Sequence, residues 1–336
     1  MALAQRYAAG DVVGSGTFGE VRLGVQRSSG RSVALKVVRS LGDGVGGQPR
    51  GARGRGVARS CAAVQQVPIG AFREACALRL LAPHEHVVEL VEMFASGSGI
   101  CLVLELAELD LRQLLALRGA LDEPSCKFVL RAAARGLAHC HAHGIMHRDI
   151  KPSNVLLWRS GQVKLADFGL ARSFRGRADA DAAAQPRLLS HQVATRWYRA
   201  PELLFGSRSY DERVDMFALG AVAGEMALGY AMFPGENDID QVYRVLQVLG
   251  SAERSVFEED MGRPPDLDKI EFPPMRRIEG FFNDAHLSSQ LITAIYGLLE
   301  LSPRRRWSAQ RLLEHDVFFL DPLPAFSIDL DGVVIN

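Results

Sequence analysis

The stretch HRDIKPSN, His147 to Asn154, places an aspartate, a lysine two residues on and an asparagine five residues on within one polar loop. An aspartate aimed at a hydroxyl group can orient it and accept its proton. A lysine beside it can offset negative charge on a group in transit, and an asparagine carbonyl oxygen suits Mg2+. Asp149, Lys151 and Asn154 are therefore candidate catalytic residues. Their types suit phosphoryl transfer, where a protein contributes mainly positioning and electrostatics. Asp167, in DFG, follows a hairpin predicted from VLLW, RSGQ and VKLA. It supplies the hard carboxylate that a magnesium site requires, so Asn154 and Asp167 are the candidate metal ligands.

A second cluster lies near the N-terminus. GSGTFGEV, Gly14 to Val21, matches Gly-x-Gly-x-x-Gly. In a dinucleotide-binding fold that motif runs from a strand into a helix. Here Val21, Leu23 and Val25 alternate with Arg22 and Gly24 and end in a turn, so a strand follows and that reading is set aside. A glycine-rich hairpin can instead fold over nucleotide phosphates, because residues without Cβ let backbone N–H groups approach closely. Lys36, in VALK on the neighbouring strand, could reach those phosphates, and Glu74, in AFREA, is the acid that could hold it. Taken alone, an ordinary tight hairpin and an exposed helix glutamate explain these features better than a phosphate site does.

Elements must position these groups. From Tyr7 to Val38, the runs EVRLGV and SVALKVV, separated by SSGR, predict a meander of antiparallel strands. Residues 40–66 lose apolar periodicity and carry many glycines with Arg50, Arg53, Arg55 and Arg59, which predicts a solvated, mobile insertion or, alternatively, a docking site for a phosphorylated or acidic partner. Pro68 opens a predicted helix, PIGAFREACALRLLA, with proline in the first turn. VELVEMFAS and GICLVLEL predict a strand pair. Beyond Ala107 helical patterns dominate: Leu109 to Leu117, Pro124 to His143, Val214 to Leu228, Ile239 to Leu249, Leu287 to Leu301 and Ala309 to Glu314. The expected fold is α+β, with a small β-rich lobe over residues 1–106 and a larger, mostly helical lobe over 107–336 that ends in a short tail.

The chain has 336 residues, 48% of them hydrophobic, and 39 acidic side chains balance 39 basic ones. No overall charge argues for a nucleic-acid or membrane partner, so any electrostatic function is local. The five cysteines, Cys61, Cys76, Cys101, Cys126 and Cys140, form no C-x-x-C pair and read as small apolar fillers in a reducing compartment. MALAQRYAAGD lacks the apolar core of a signal peptide, which points to an intracellular chain, cytoplasmic or nuclear. The apolar run from Phe217 to Phe233 is interrupted by Glu225 and reads as a helix buried in protein rather than a membrane span. His139, His141, His143 and His147 cluster as some zinc ligands do, but only Cys140 accompanies them and His147 belongs to the catalytic-loop motif, so a metal site is not expected there.

In chain order, the glycine loop, Lys36, Glu74, Asp149, Asn154, Asp167 and the APE at Ala200 to Glu202 resemble the protein-kinase superfamily, from about Tyr7 to Phe319. The resemblance implies a bilobal kinase fold that uses ATP and Mg2+. It makes Asp149 the base and orienter, places Lys151 on the γ-phosphate, and sets a Lys36–Glu74 pair on the α- and β-phosphates. Nucleotide contacts would come from Val13, Gly14, Ser15, Gly16, Thr17, Phe18, Gly19, Val21, Ala34, Lys36, Leu104, Glu105, Ala107, Asp110, Asn154, Leu156 and Asp167. Adenine would lie against Glu105 to Ala107, with Leu104 behind it. The resemblance further implies that Asp215 braces the catalytic loop and that Glu202 pairs with Arg306.

HQVATRWYRAPELL is shared in close form by cyclin-dependent and mitogen-activated kinases, FPGENDIDQVYRVLQVLG looks like the insert region of that branch, and PIGAFRE is similar to the cyclin-binding helix signature. Together the motifs look most like the cell-cycle-related subgroup of the cyclin-dependent family. That resemblance implies a serine/threonine kinase acting on Ser/Thr-Pro sites of protein substrates, with Thr195, Trp197 and Arg199 shaping the pocket after the phosphoacceptor and Thr195 bonding to Asp149 and Lys151. It also implies a cyclin-like activator and an upstream kinase that phosphorylates Ser190, whose phosphate Arg73, Arg148 and Arg172 would gather. Phe18 replaces the tyrosine that many relatives carry, and Thr17 remains available for modification. A mitogen-activated-type kinase and a pseudokinase scaffold are the alternatives. The first usually carries Thr-x-Tyr where this chain reads RLLS, and the second usually lacks the strand lysine, the catalytic aspartate or the magnesium aspartate, which are present here as Lys36, Asp149 and Asp167.

Overall fold

Alternation along the N-terminal strands places one set of side chains on each face of a sheet. In the computed structural model, which describes residues 3–16, 19–38, 69–96, 99–174, 195–250, 281–282, 285–328 and 330, that sheet has five strands. They are β1 (Tyr7–Gly16), β2 (Gly19–Gln26), β3 (Ser32–Val38), β4 (Leu90–Ser96) and β5 (Gly99–Glu105), in the order β1-β2-β3-β5-β4 with antiparallel neighbours. Val33 and Leu35 join Tyr7, Cys101 and Val103 in a buried core on one face. The register Val21↔Lys36↔Leu102 and Leu23↔Ala34↔Leu104 puts Lys36 on the opposite face with Val21, Ala34 and Leu104. A short helix, α1 (Leu3–Arg6), precedes the sheet, and α2 (Ile69–Leu81) carries Glu74. Thr17, Phe18, Cys61, Pro68, Ser190 and the 40–66 insertion lie outside the described residues.

The chain divides into two compact units, residues 1–79 with 89–106 and residues 80–88 with 107–336. The expected boundary near residue 106 is thus crossed by residues 80–88, which belong to the second unit. Backbone bonds explain this: Val88 N donates to Leu165 O, and Leu165 N to His86 O. No local pattern reveals such a pairing.

The second unit contains β6 (Leu109–Asp110), α3 (Leu111–Arg118), α4 (Glu123–Ala142), β7 (Ile145–Met146), β8 (Val155–Leu157), β9 (Val163–Leu165), β10 (Arg172–Ser173), α5 (Pro201–Leu204), α6 (Arg213–Leu228), α7 (Asp238–Leu249), α8 (Ser289–Leu298) and α9 (Ala309–Leu313). The helix expected from Leu109 starts two residues later. Asp110 N-caps α3 by accepting Gln113 N at 2.9 Å, and Gln113 Oε1 accepts Asp110 N at 2.8 Å, a reciprocal box that ends the β6 strand there.

Helix α6 is apolar nearly all round and buried, as a helix enclosed by protein must be. It approaches α8 closely at Gly220, where a Cβ would lie 2.8 Å from Leu298 Cβ. Among the described residues no helix is long and apolar enough to cross a membrane. Cys101, Cys126 and Cys140 are buried, and burial pushes the Cys101 thiol up to about 11. Cys76 departs from the filler expectation. It lies on the exposed side of α2, between Ala75 and Ala77, which are buried.

Candidate active site

In the first unit, Lys36 Nζ meets Glu74 Oε1 at 2.9 Å and Oε2 at 2.8 Å. Lys36 is only 7% exposed and Glu74 1%, so each charge needs the other in an interior that solvates neither. Gly19 starts β2 where a Cβ would stand 2.0 Å from Val37 O, so the third glycine of the motif is required by the close approach of β3. Gly14 pairs with Val21, while Val13 is exposed. Glu105 accepts Glu89 N at 2.8 Å through Oε1.

In the second unit, the catalytic loop leaves β7 and re-enters the small sheet at β8 through a 3-10 turn, Pro152–Asn154. Strand β7 pairs with β10, which ties the entrance of the loop to the residues after DFG. Arg148 has φ 67° and Asp167 φ 61°, a left-handed conformation that non-glycine residues seldom adopt and that clusters at functional sites. Asp215 compensates at Arg148: its Oδ1 accepts Arg148 N at 2.7 Å and its Oδ2 accepts His147 N at 2.9 Å. Burial would raise the Asp215 pKa, but the donors, with His141 first, outweigh it and hold the carboxyl below its usual value. His147 Nε2 donates to Ala166 O at 2.9 Å, its Nδ1 accepts Asp149 N at 3.2 Å, and its ring lies 4.6 Å from that of Phe168.

Four donors converge on the Asp149 carboxylate. Lys151 Nζ reaches Oδ2 at 2.7 Å and Asn154 Nδ2 at 3.1 Å. Thr195 donates to Oδ1 through N at 3.1 Å and through Oγ1 at 3.2 Å. Asn154 Nδ2 also donates to Asp149 O at 2.7 Å. Both amide hydrogens of Asn154 therefore point toward Asp149, and its carbonyl oxygen is the end available as a hard ligand. One carbonyl and the Asp167 carboxylate fit Mg2+, which takes few protein oxygens and completes its shell with water and phosphate. Among the described residues no cluster of three His, Cys, Asp or Glu could hold a metal.

Asp110 of the predicted nucleotide set caps α3, and burial raises its pKa. Leu156 stands opposite it on β8. Of the arginines expected to gather a phosphate, Arg73 lies on α2, whereas Arg148 and Arg172 lie in the second unit. Arg148 is 3% exposed, with Nε donating to Leu170 O and Nη1 to Tyr210 OH, each at 2.8 Å. Glu202 and Arg306 form a buried two-pronged pair at 2.7 and 3.0 Å.

A model of the protein kinase domain matches residues 7–318. The chain belongs to the protein kinase family. Cyclin-dependent kinase 20 of Danio rerio is 39% identical to it over 95% of this chain and 85% of the relative. Serine/threonine-protein kinase KIN28 of Saccharomyces cerevisiae is 32% identical over 97% of each. The solved structure of the CAK complex from Chaetomium thermophilum bound to ATP-gamma-S aligns with a TM-score of 0.77 and 30% identity, covering 96% of this chain and 94% of the solved one. The kinase is a serine/threonine phosphotransferase of cyclin-dependent type, with the β-sheet and helical units of that fold.

Several contacts around the residues described above are not signalled by motif spacing. His141, read above only as part of a histidine cluster, meets Asp215 Oδ2 at 2.9 Å. Tyr210 OH accepts from Arg148, and Tyr198 OH donates to Glu225 Oε2 at 2.7 Å from within the apolar run. Each pairing joins positions at least 27 residues apart, beyond the reach of local spacing.

Proposed function

We propose that this kinase transfers the γ-phosphoryl group of ATP to Ser or Thr followed by Pro in protein substrates, with Asp149 as orienter and base. The observation that carries this reading is the set of four donors on the Asp149 carboxylate. A carboxylate offers about four acceptor positions, and here all are taken, so an incoming hydroxyl must replace one donor. Lys151 is suited to leave, because a phosphoryl oxygen competes for its ammonium, and the substrate alcohol then donates to Asp149 Oδ2. Asn154 and Thr195 keep the carboxylate from rotating meanwhile. Asn154 Oδ1 and Asp167 would hold Mg2+, which supplies charge neutralisation at the phosphates when bound. The Lys36–Glu74 pair would serve the α- and β-phosphates. Proline after the phosphoacceptor brings no N–H that would need a partner in its pocket.

A cyclin-like activator belongs to the same reading. Helix α2 carries Glu74 and exposes Ile69 (73%) and Phe72 (43%), apolar side chains suited to a protein partner. A cyclin appears in the name of the Danio rerio relative, and the Chaetomium thermophilum neighbour was solved as part of a complex. Phosphorylation at Ser190 would add a group for Arg148 and Arg172, which both act electrostatically on the Tyr210 hydroxyl. The chain would work inside the cell, in the cytoplasm or nucleus.

Transfer of labelled phosphate from ATP to a Ser-Pro peptide tests the central claim. Asp149→Asn is expected to lower kcat by about 10²–10⁴-fold with peptide binding retained. Unchanged turnover would overturn the assignment.

A further inference from the structure

Beyond Thr195, whose backbone and hydroxyl both hold Asp149, the chain makes one 3-10 turn, Arg196–Tyr198, before Arg199. Such a turn has three residues per turn, so side chains at i and i+3 eclipse. Arg196 and Arg199 are related in this way. Two guanidinium groups therefore leave the same side of the turn, and each disfavours the other. Arg199 has only 11% of its side chain exposed. Burial lowers its pKa first, Arg196 adds to that, and Asp238 opposes both.

Asp238 lies in the first turn of α7, and its Oδ1 takes both cations: Arg196 Nε at 2.9 Å and Arg199 Nη1 at 3.3 Å. The loop before it is held firmly. Asn237 caps α7 by accepting Asp240 N at 2.9 Å, and fully buried Gln241 accepts Gly235 N at 3.1 Å. That loop also receives Arg196 Nη1 on Glu236 O at 3.1 Å and Trp197 Nε1 on Gly235 O at 3.1 Å. Three of the four side chains from residues 196–199 thus dock on residues 235–238, and one carboxylate contacts both cations and offsets part of their charge.

We infer that Asp238 is a positioning residue for the peptide substrate, holding Arg196 and Arg199 together so that the turn after Thr195 keeps the shape that receives the residue following the phosphoacceptor. This rests on the reading that residues 195–199 line the peptide site. Asp238 does not touch the reacting atoms. Its loss lets two like charges separate and the turn open, which weakens peptide binding and leaves the nucleotide untouched.

Steady-state kinetics on the full chain with a Ser-Pro peptide and ATP provide the test. Asp238→Ala is expected to raise KM for peptide threefold to tenfold, with KM for ATP and kcat within twofold of the parent. Arg196→Ala combined with Asp238→Ala is expected to recover part of that loss, because removing one cation removes the repulsion, and Asp238→Glu should restore most of it. A merely structural aspartate would give no such recovery. Unchanged peptide KM in Asp238→Ala, or a loss shared by kcat, ATP KM and melting temperature, would overturn the inference. Trp197→Ala separates this failure from that of the underlying reading: if it too leaves peptide KM unchanged, residues 195–199 are not the peptide site.

Discussion

Asp215 shows how one buried side chain sets the geometry of a loop it does not belong to. It accepts from two consecutive backbone amides, His147 N and Arg148 N, and from the His141 ring. Those donors stabilise a left-handed Arg148 that the backbone alone disfavours. Asp215→Asn keeps the shape but swaps one acceptor oxygen for a donor facing an N–H group. Removing one partner of a buried charged set costs about 3–5 kcal/mol, so urea unfolding should show a loss of that order, with lower kcat as the loop relaxes. An unfolding free energy within about 0.5 kcal/mol of the parent would contradict this role. The sign of the pH dependence follows from the depressed Asp215 pKa: its contribution is present above the unfolded value of 3.8 and is lost as pH falls through the lower folded value.

At the scale of elements, the segment after α2 is clasped to the end of α4 by histidines. The rings of His84 and His139 stack at 4.0 Å with an interplanar angle of 16°, His139 and His143 lie 4.3 Å apart, and His86 stands edge-on to His84 at 5.8 Å. His139 Nε2 donates to Leu81 O, and the neutral form of His84 is favoured because its Nδ1 accepts His86 N. Protonating His84 would set a hydrogen against that N–H. Burial lowers the His84 pKa from 6.5 to about 4, with help from His139, His86 and His143 and against the pull of Glu85. Below pH 6.5 the unfolded chain binds a proton that the folded one refuses, so stability falls between pH 6.5 and about 4 and levels off below that. After discounting for partial exposure, the effect is about 1–2 kcal/mol. Thermal melts across that range should show a shallower decline in His84→Phe, which keeps the stack without the titration. Equal slopes in the two proteins would remove His84 from the account.

Over the whole molecule, residues beyond the kinase-domain match at 318 are part of the second unit. Lys127 is fully buried, and its ammonium meets Glu123 Oε1 at 2.7 Å, Pro322 O at 2.7 Å and Leu320 O at 3.4 Å. Glu123 also accepts Ser288 N at 2.7 Å. Further along, Ala325 N donates to Pro124 O at 2.9 Å, Ile328 and Leu330 are buried, and Arg159 reaches Leu330 O at 3.3 Å from the turn between β8 and β9. Ending the chain at Phe319 strips the Lys127 charge of two carbonyl partners and removes the buried Ile328 and Leu330 side chains, baring the apolar surface they cover. The expected loss is at least about 3 kcal/mol, read as a lower melting temperature. An unchanged melt would show that the tail contributes nothing to the unit.

Amino-acid order alone was enough for what depends on short-range spacing. Val21, Leu23 and Val25 alternate as a strand must, Asp149, Lys151 and Asn154 share one loop, and the ordered motifs disclosed the family. Other features come from chain segments meeting at long range, where spacing carries no information. Residues 80–88 join the second unit because their amides and carbonyls find β9, and Leu109 is a strand residue because Asp110 and Gln113 cap each other. His141 became a brace for the catalytic loop only when Asp215, 74 residues away, was buried beside it. Asp238 likewise looked like one more acid in GENDID until folding set two arginines upon it. A charge is assigned its task by the partner that burial leaves it, and that partner is known only once the chain has packed.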